Sequence, residues 1–170
     1  LEFFSIKVAD GPLTSKLQLI QPGDEVFVSR KPTGTLTYDN LLPGKHLYLI
    51  STGTGLAPFL SIIKDPVVYE LFDKIILAHG CRYANELAYQ KIIQHELPND
   101  KYFGDLVKGK LIYYPTVTRE SYFNTGRLTD LIQSGKLAHD VGLPCINVND
   151  DRFMICGSPG MLKDDCTILS

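Results

Sequence analysis

The sequence predicts an α/β protein built on a doubly wound parallel sheet, with a piece of antiparallel β structure ahead of it. Three observations predict this. Short apolar runs at 46–51 (HLYLIS), 74–79 (KIILAH), 110–117 and 152–156 alternate with segments of helical character, the pattern of parallel strands covered on both faces. A glycine-rich turn follows the first run directly and opens a helix, as in nucleotide-binding α/β sheets. Before Leu42-Pro43-Gly44 the apolar runs are instead separated by tight turns, which reads as antiparallel β structure.

In order, residues 3–8 alternate with β-rich side chains and meet the turn Asp10-Gly11-Pro12. Residues 14–20 can form a short helix with Leu17 and Ile20 on one face. Gln21-Pro22-Gly23-Asp24 is a turn before a strand at 25–29, and Lys31-Pro32-Thr33-Gly34 precedes a short strand near Leu36. These pieces are too few to close a barrel. The character changes near residues 42–45, which sets two domains, 1–44 and 45–170. In the second, strands at 46–51, 74–79, 110–117 and 152–156 alternate with helices at 57–63 and 84–96, near Leu128 and from Pro159. Both ends of the chain read as interior to a longer protein: there is no initiator Met and no signal-peptide layout, and the last helical segment stops at Ser170.

Composition bounds the function. The 170 residues are 44% hydrophobic and 21% charged, enough to bury a core, and the net charge of -2 gives no field toward nucleic acid or an anionic membrane. No apolar run reaches the roughly 20 residues that span a bilayer. Cys81, Cys145, Cys156 and Cys166 form no C-x-x-C pair and have no histidine at zinc-ligand spacing, so reduced thiols in a cytoplasmic protein are expected, and no metal site.

The turn Ser51-Thr52-Gly53-Thr54-Gly55-Leu56-Ala57-Pro58-Phe59 has the chemistry of a phosphate cradle. Glycines admit backbone angles closed to other residues and let a ligand approach the main chain. Free amides and the positive end of the following helix then face an anion. Pro58 fits a first helical turn, where its missing N–H costs nothing. It also stands where the usual dinucleotide fingerprint has a glycine. After the second strand comes His79-Gly80-Cys81-Arg82. A carboxylate there would suit the ribose hydroxyl of NAD, whereas the planar fork of Arg82 suits a phosphate.

The string T-G-T-G-L-A-P-F resembles the NADP-binding turn of the ferredoxin–NADP reductase superfamily, and the order of later motifs resembles its bacterial branch. Several roles follow from that resemblance. Thr52, Gly53, Thr54, Gly55, Ala57 and Pro58 form the pyrophosphate turn. Thr118-Arg119-Glu120, followed by Gly126-Arg127, grips the adenosine 2′-phosphate through Thr118, Arg119 and Arg127, and Arg82 contacts NADP phosphates. Charged hydrogen bonds of about 1.5–3 kcal/mol each would then separate NADP from NAD. Cys156-Gly157-Ser158-Pro159-Gly160-Met161 resembles the family's C-G-[SN]-P-x-M motif: Cys156 and Gly157 line the nicotinamide side, and Ser158, Pro159, Gly160 and Met161 border the nucleotide. Thr54 and Cys156 are the candidate catalytic residues, although no side chain is required as a nucleophile or general acid.

Upstream, residues 6–15 resemble the family's second flavin motif. Pro12, Leu13 and Thr14 take the FAD phosphate positions, and Phe4 lies against the flavin nucleotide. The family's main flavin motif, R-x-Y-S, is absent from this chain, so FAD binding by these residues alone is expected to be weak. The function implied is flavin-dependent electron exchange between NADPH and ferredoxin or flavodoxin, by a cytoplasmic monomer. The rivals are an NADH-using oxygenase reductase component, a flavohaemoglobin-type reductase, and a non-catalytic nucleotide-binding module.

Overall fold

The computed structural model describes residues 2–31 and 33–170. It divides into two compact units, Leu1–Thr37 and Tyr38–Ser170. The turn expected across Pro32 lies partly outside the described residues.

In the first unit the expected antiparallel strands do not form. Residues 3–8, 25–29 and the stretch near Leu36 are irregular, and Val26, Phe27 and Val28 are exposed. Alternating side chains make a strand only where a neighbouring strand takes up the backbone N–H and C=O groups, and none does so within this unit. The helix expected at 14–20 shortens to one turn, α1 (Thr14–Leu17), with no buried residue. The Gln21–Asp24 turn is present and closed by an Asp24 N–H to Gln21 carbonyl bond of 3.0 Å.

The second unit holds four parallel strands: β1 (His46–Thr52), β2 (Lys74–Cys81), β3 (Leu111–Val117) and β4 (Asp151–Cys156). Their spatial order is β3-β2-β1-β4, with His46 opposite both Lys74 and Asp151. From β1 the chain steps outward through β2 to β3, then returns to the far side of β1 for β4. Right-handed crossovers therefore place the helices of the two directions on opposite faces. Tyr48, Ile50, Ile76, Ala78 and Tyr114 meet α5 (Leu128–Gln133), α6 (Lys136–Asp140) and α7 (Pro159–Leu169) on one face. Leu47, Leu49, Ile75 and Leu77 point to the other face and are fully buried. That side carries α2 (Leu56–Ile63), α3 (Val68–Leu71) and α4 (Gly104–Lys110) in its connections. Each such aliphatic side chain contributes about 1.5–3 kcal/mol by burial, so the sheet is a rigid platform. Tyr48 and Phe153 stack across β1 and β4 at 4.7 Å.

The helix expected at 84–96 is broken. It becomes a 3₁₀ turn at Ala84–Glu86, a π-helical turn at Ile92–Glu96 and a further 3₁₀ turn at Leu97–Asn99. Tyr89 adopts a positive φ of 63°, and the segment bonds Glu120 through the Ala84 N–H and Tyr122 through Gln90. Helices α3, α4 and α6 are short elements that the sequence reading did not anticipate. No helix among the described residues is long and apolar enough to cross a membrane. Asp165 of α7 is fully buried, and both its carboxylate oxygens lack a partner.

Candidate functional site

The strand order reverses between β1 and β4, and at such a point the loops leaving neighbouring strands diverge and open a crevice at the carboxyl edge. The glycine turn leaves β1 there, and Cys156-Gly157 leaves β4. The two are in close contact: a Cβ on Gly55 would overlap the Cys156 carbonyl, and one on Gly157 would overlap Thr52 Oγ1 and stand 2.7 Å from Met161 Sδ. Both glycines are therefore required for the approach of the two loops. Gly53 has a different reason. Its φ is 53° and nothing lies within 4 Å of where a Cβ would stand, so it offers bare main chain to the crevice.

Thr52 ties the loops together. Its Oγ1 donates to Met161 Sδ (3.3 Å) and accepts from the Ser158 amide (3.3 Å). Ser158 caps α7 by accepting from Met161 N–H (3.4 Å), with Pro159 at the first helical position. Thr54, Ala57 and Pro58 are half-buried along the rim, and Ser158, Pro159 and Gly160 are exposed. Cys156 is a half-buried free thiol, and burial pushes its pKa up. The raised pKa favours the protonated thiol over the thiolate.

The arginine loops leave β2 and β3 and are zipped together. Thr118 N–H bonds the Cys81 carbonyl (3.1 Å) and Arg119 N–H bonds the Arg82 carbonyl (2.9 Å). The chain then doubles back, with Gly126 N–H on the Val117 carbonyl (3.0 Å), Thr116 Oγ1 on the Gly126 carbonyl (3.0 Å) and Asn124 Nδ2 on the Pro115 carbonyl (3.0 Å). Arg127 thus starts one residue past the bond at Val117, and Arg119 lies two residues past it. Gly80 shows how this assembly reaches the glycine turn. A Cβ there would stand 3.1 Å from Leu128 Cδ1 and 3.5 Å from Thr52 Cγ2, so α5, with Arg127 before it, begins beside the end of β1.

Arg119 and Arg127 are exposed, and among the described residues neither has an ion-pair partner. Arg82 differs. Its guanidinium pairs with Glu86 (2.8 Å), whose second oxygen accepts the Arg82 amide (3.0 Å). Sequence reasoning missed Glu86, because a carboxylate four residues after an arginine in a loop carries no signal of pairing. It also assigned no role to His79. That residue is fully buried beneath the glycine turn, with Nε2 3.1 Å from the Gly53 carbonyl.

The flavin-like residues lie in the first unit. Thr14 Oγ1 accepts from Val8 N–H (3.2 Å) and donates back to the Val8 carbonyl (3.4 Å). Pro12 and Leu13 are exposed, and Phe4 and Thr14 are half-buried.

Comparison with known proteins places this architecture. Residues 49–167 match the oxidoreductase NAD-binding domain family. A ferredoxin–NADP reductase of Azotobacter vinelandii is 67% identical over 99% of this chain, and one of Pseudomonas aeruginosa is 64% identical over the same share. The chain spans 66% of the length of each. Among solved structures, a ferredoxin NADP+ reductase of Neisseria gonorrhoeae with bound FAD and NADP superposes with a TM-score of 0.84 at 27% identity, covering 95% of this chain and 63% of that one.

Proposed function

Because this chain belongs to the oxidoreductase NAD-binding domain family, in the form found in ferredoxin–NADP reductases, we propose that it carries the NADP(H)-binding machinery of a flavin-dependent reductase. The observation that supports this is Gly80, packed between Thr52 of the glycine turn and Leu128, which brings the start of α5, just after the exposed Arg127, to the end of β1. The amides of Thr54, Gly55 and Ala57, with Thr52, Gly53 and Pro58 shaping the bend, hold the pyrophosphate at the start of α2. Thr118, Arg119 and Arg127 hold the 2′-phosphate, and Arg82 reaches a phosphate once it leaves Glu86. Two guanidiniums without carboxylate partners are the donor set a dianion needs. Thr54 and Cys156 flank the place for the nicotinamide, with Gly157, Ser158, Pro159, Gly160 and Met161 along its border.

NADPH and FAD, when bound, supply hydride transfer and its conversion to single electrons. The chain's own contribution is orientation: it fixes the dinucleotide at both phosphate sites, so the nicotinamide end meets the Cys156 side at a defined depth. Phe4, Pro12, Leu13 and Thr14 are the residues this chain offers to FAD. The Thr14 hydroxyl already serves Val8, in keeping with weak retention of flavin by these residues alone. The partner is a ferredoxin or a flavodoxin, met by a cytoplasmic monomer. The test is oxidation of NADPH at 340 nm by the flavin-loaded full-length protein with reduction of added ferredoxin. Failure with every acceptor would leave only a nucleotide-binding module, and equal rates with NADH would favour an oxygenase-type reductase.

A further inference from the structure

His79 sits on β2 with no solvent exposure, beside the apolar run 75–78. A buried imidazole needs a reason, since each unpartnered ring nitrogen would cost about 1–3 kcal/mol. Its partners supply one. Nε2 lies 3.1 Å from the Gly53 carbonyl and 3.4 Å from Cys81 Sγ, while Nδ1 faces Tyr113 OH at 3.5 Å. A carbonyl can only accept, so Nε2 carries the proton and Nδ1 accepts from the tyrosine. The Gly53 carbonyl also accepts from Leu56 N–H at the start of α2, so both its lone pairs are engaged. The Cys81 thiol is held protonated by burial, its pKa pushed up to about 11, and donates to the Glu86 carbonyl (3.4 Å).

Gly53 is the residue of the turn with a left-handed backbone, and nothing lies within 4 Å of where its Cβ would stand. In a trans peptide the carbonyl of Gly53 and the N–H of Thr54 point in opposite directions. Whatever pulls that carbonyl down into the sheet turns the Thr54 amide out into the crevice. Building on the NADP(H) reading above, we infer that His79 is a positioning residue that latches the Gly53–Thr54 peptide with its amide toward the dinucleotide pyrophosphate. Without the latch the Leu56 N–H alone holds that carbonyl, and a flip of the peptide would present a carbonyl oxygen to an anion. Burial lowers the imidazole pKa and favours the neutral ring.

The test compares this chain with its His79→Leu and His79→Gln variants by calorimetric titration with NADP+ and with 2′-AMP, which reaches only the arginine loops. His79→Leu should weaken NADP+ by about 10-fold or more and leave 2′-AMP within about 2-fold, the loss of one oriented amide rather than of the fold. His79→Gln places an amide N–H near the position of Nε2 and should bring NADP+ back to within about 3-fold of the parent. Unchanged NADP+ affinity in His79→Leu, or equal losses for both ligands, would overturn the latch. Should the leucine variant fail to fold, the ring-nitrogen spectrum of the parent decides. The latch requires the Nε2–H tautomer of the neutral ring; an Nδ1–H tautomer sinks it. If the parent binds neither ligand, the functional reading fails instead, and the same spectrum still shows whether the carbonyl is held.

Discussion

Two turns in this chain carry the same chemical script, a glycine and a hydroxyl ahead of a helix start, yet they are built very differently. The turn at 52–58 ends a strand inside a four-stranded sheet. Its Gly55 touches the loop after β4, the Gly53 carbonyl is held by His79, and its helix α2 buries Leu56, Phe59, Leu60, Ile62 and Ile63. The turn at 11–14 leads into a four-residue helix that buries nothing, and its hydroxyl is folded back onto Val8. A phosphate cradle is a set of amides held in place before the ligand arrives. The first turn has that support within its own unit, and the second has only the local pattern.

The widest separation should appear on adding one methyl group to each. Gly55→Ala puts a Cβ into the Cys156 main chain, which neither loop can yield. It should lower stability by about 3 kcal/mol in urea unfolding and abolish measurable NADP+ binding. Gly11→Ala meets mainly the Thr14 side chain and Val8 and should cost about 1 kcal/mol or less, with NADP+ binding intact. Similar losses for both would erase the distinction.

Arg119→Ala and Arg127→Ala should each weaken NADP+ by about 10- to 100-fold while moving NAD+ less than about 2-fold, as expected for lost charged hydrogen bonds of about 1.5–3 kcal/mol. The salt dependence of NADP+ binding should fall in parallel. A matching loss of NAD+ would mean that these side chains support the fold rather than the 2′-phosphate.

The supporting unit has a weak point of its own. Burial, reinforced by Asp164, raises the Asp165 pKa to about 6. Its folded value exceeds its unfolded one, so the group favours folding while protonated, and stability declines as pH rises toward and through about 6. Asp165→Leu should therefore stabilise the protein by roughly 2–3 kcal/mol above about pH 7, with a smaller gain in acid. Thermal melts from pH 4 to 8 would show it; a pH-independent difference would place the penalty elsewhere. The smallest effect belongs to Glu86→Ala. The Arg82 pair is exposed, so NADP+ affinity should change by less than about 3-fold.

Much of the sheet was legible because parallel strands buried on both faces leave unbroken apolar runs: HLYLI and KIILAHG mark β1 and β2 to within two residues. Helix α7 was legible from Ser158-Pro159, a cap and a first-turn proline. The 84–96 segment was not. Its composition favours a helix, but Tyr89 takes a positive φ, and Ala84 and Gln90 bond Glu120 and Tyr122 far along the chain, which no local pattern encodes. The strands of the first unit were misread because alternation describes a strand's faces but not its partner. In the site, the glycines announced themselves, whereas His79 read as one more residue of a strand end. Its role depends on a carbonyl 26 positions away.

In the proposed reading the bend at 52–58 and the loops bearing Arg119 and Arg127 close on a single twice-phosphorylated dinucleotide. Calorimetric titration of this chain with NADP+ and with NAD+ tests it directly. One site per chain, at least about 100-fold tighter for NADP+, is the predicted result. Equal affinities for the two nucleotides would contradict it.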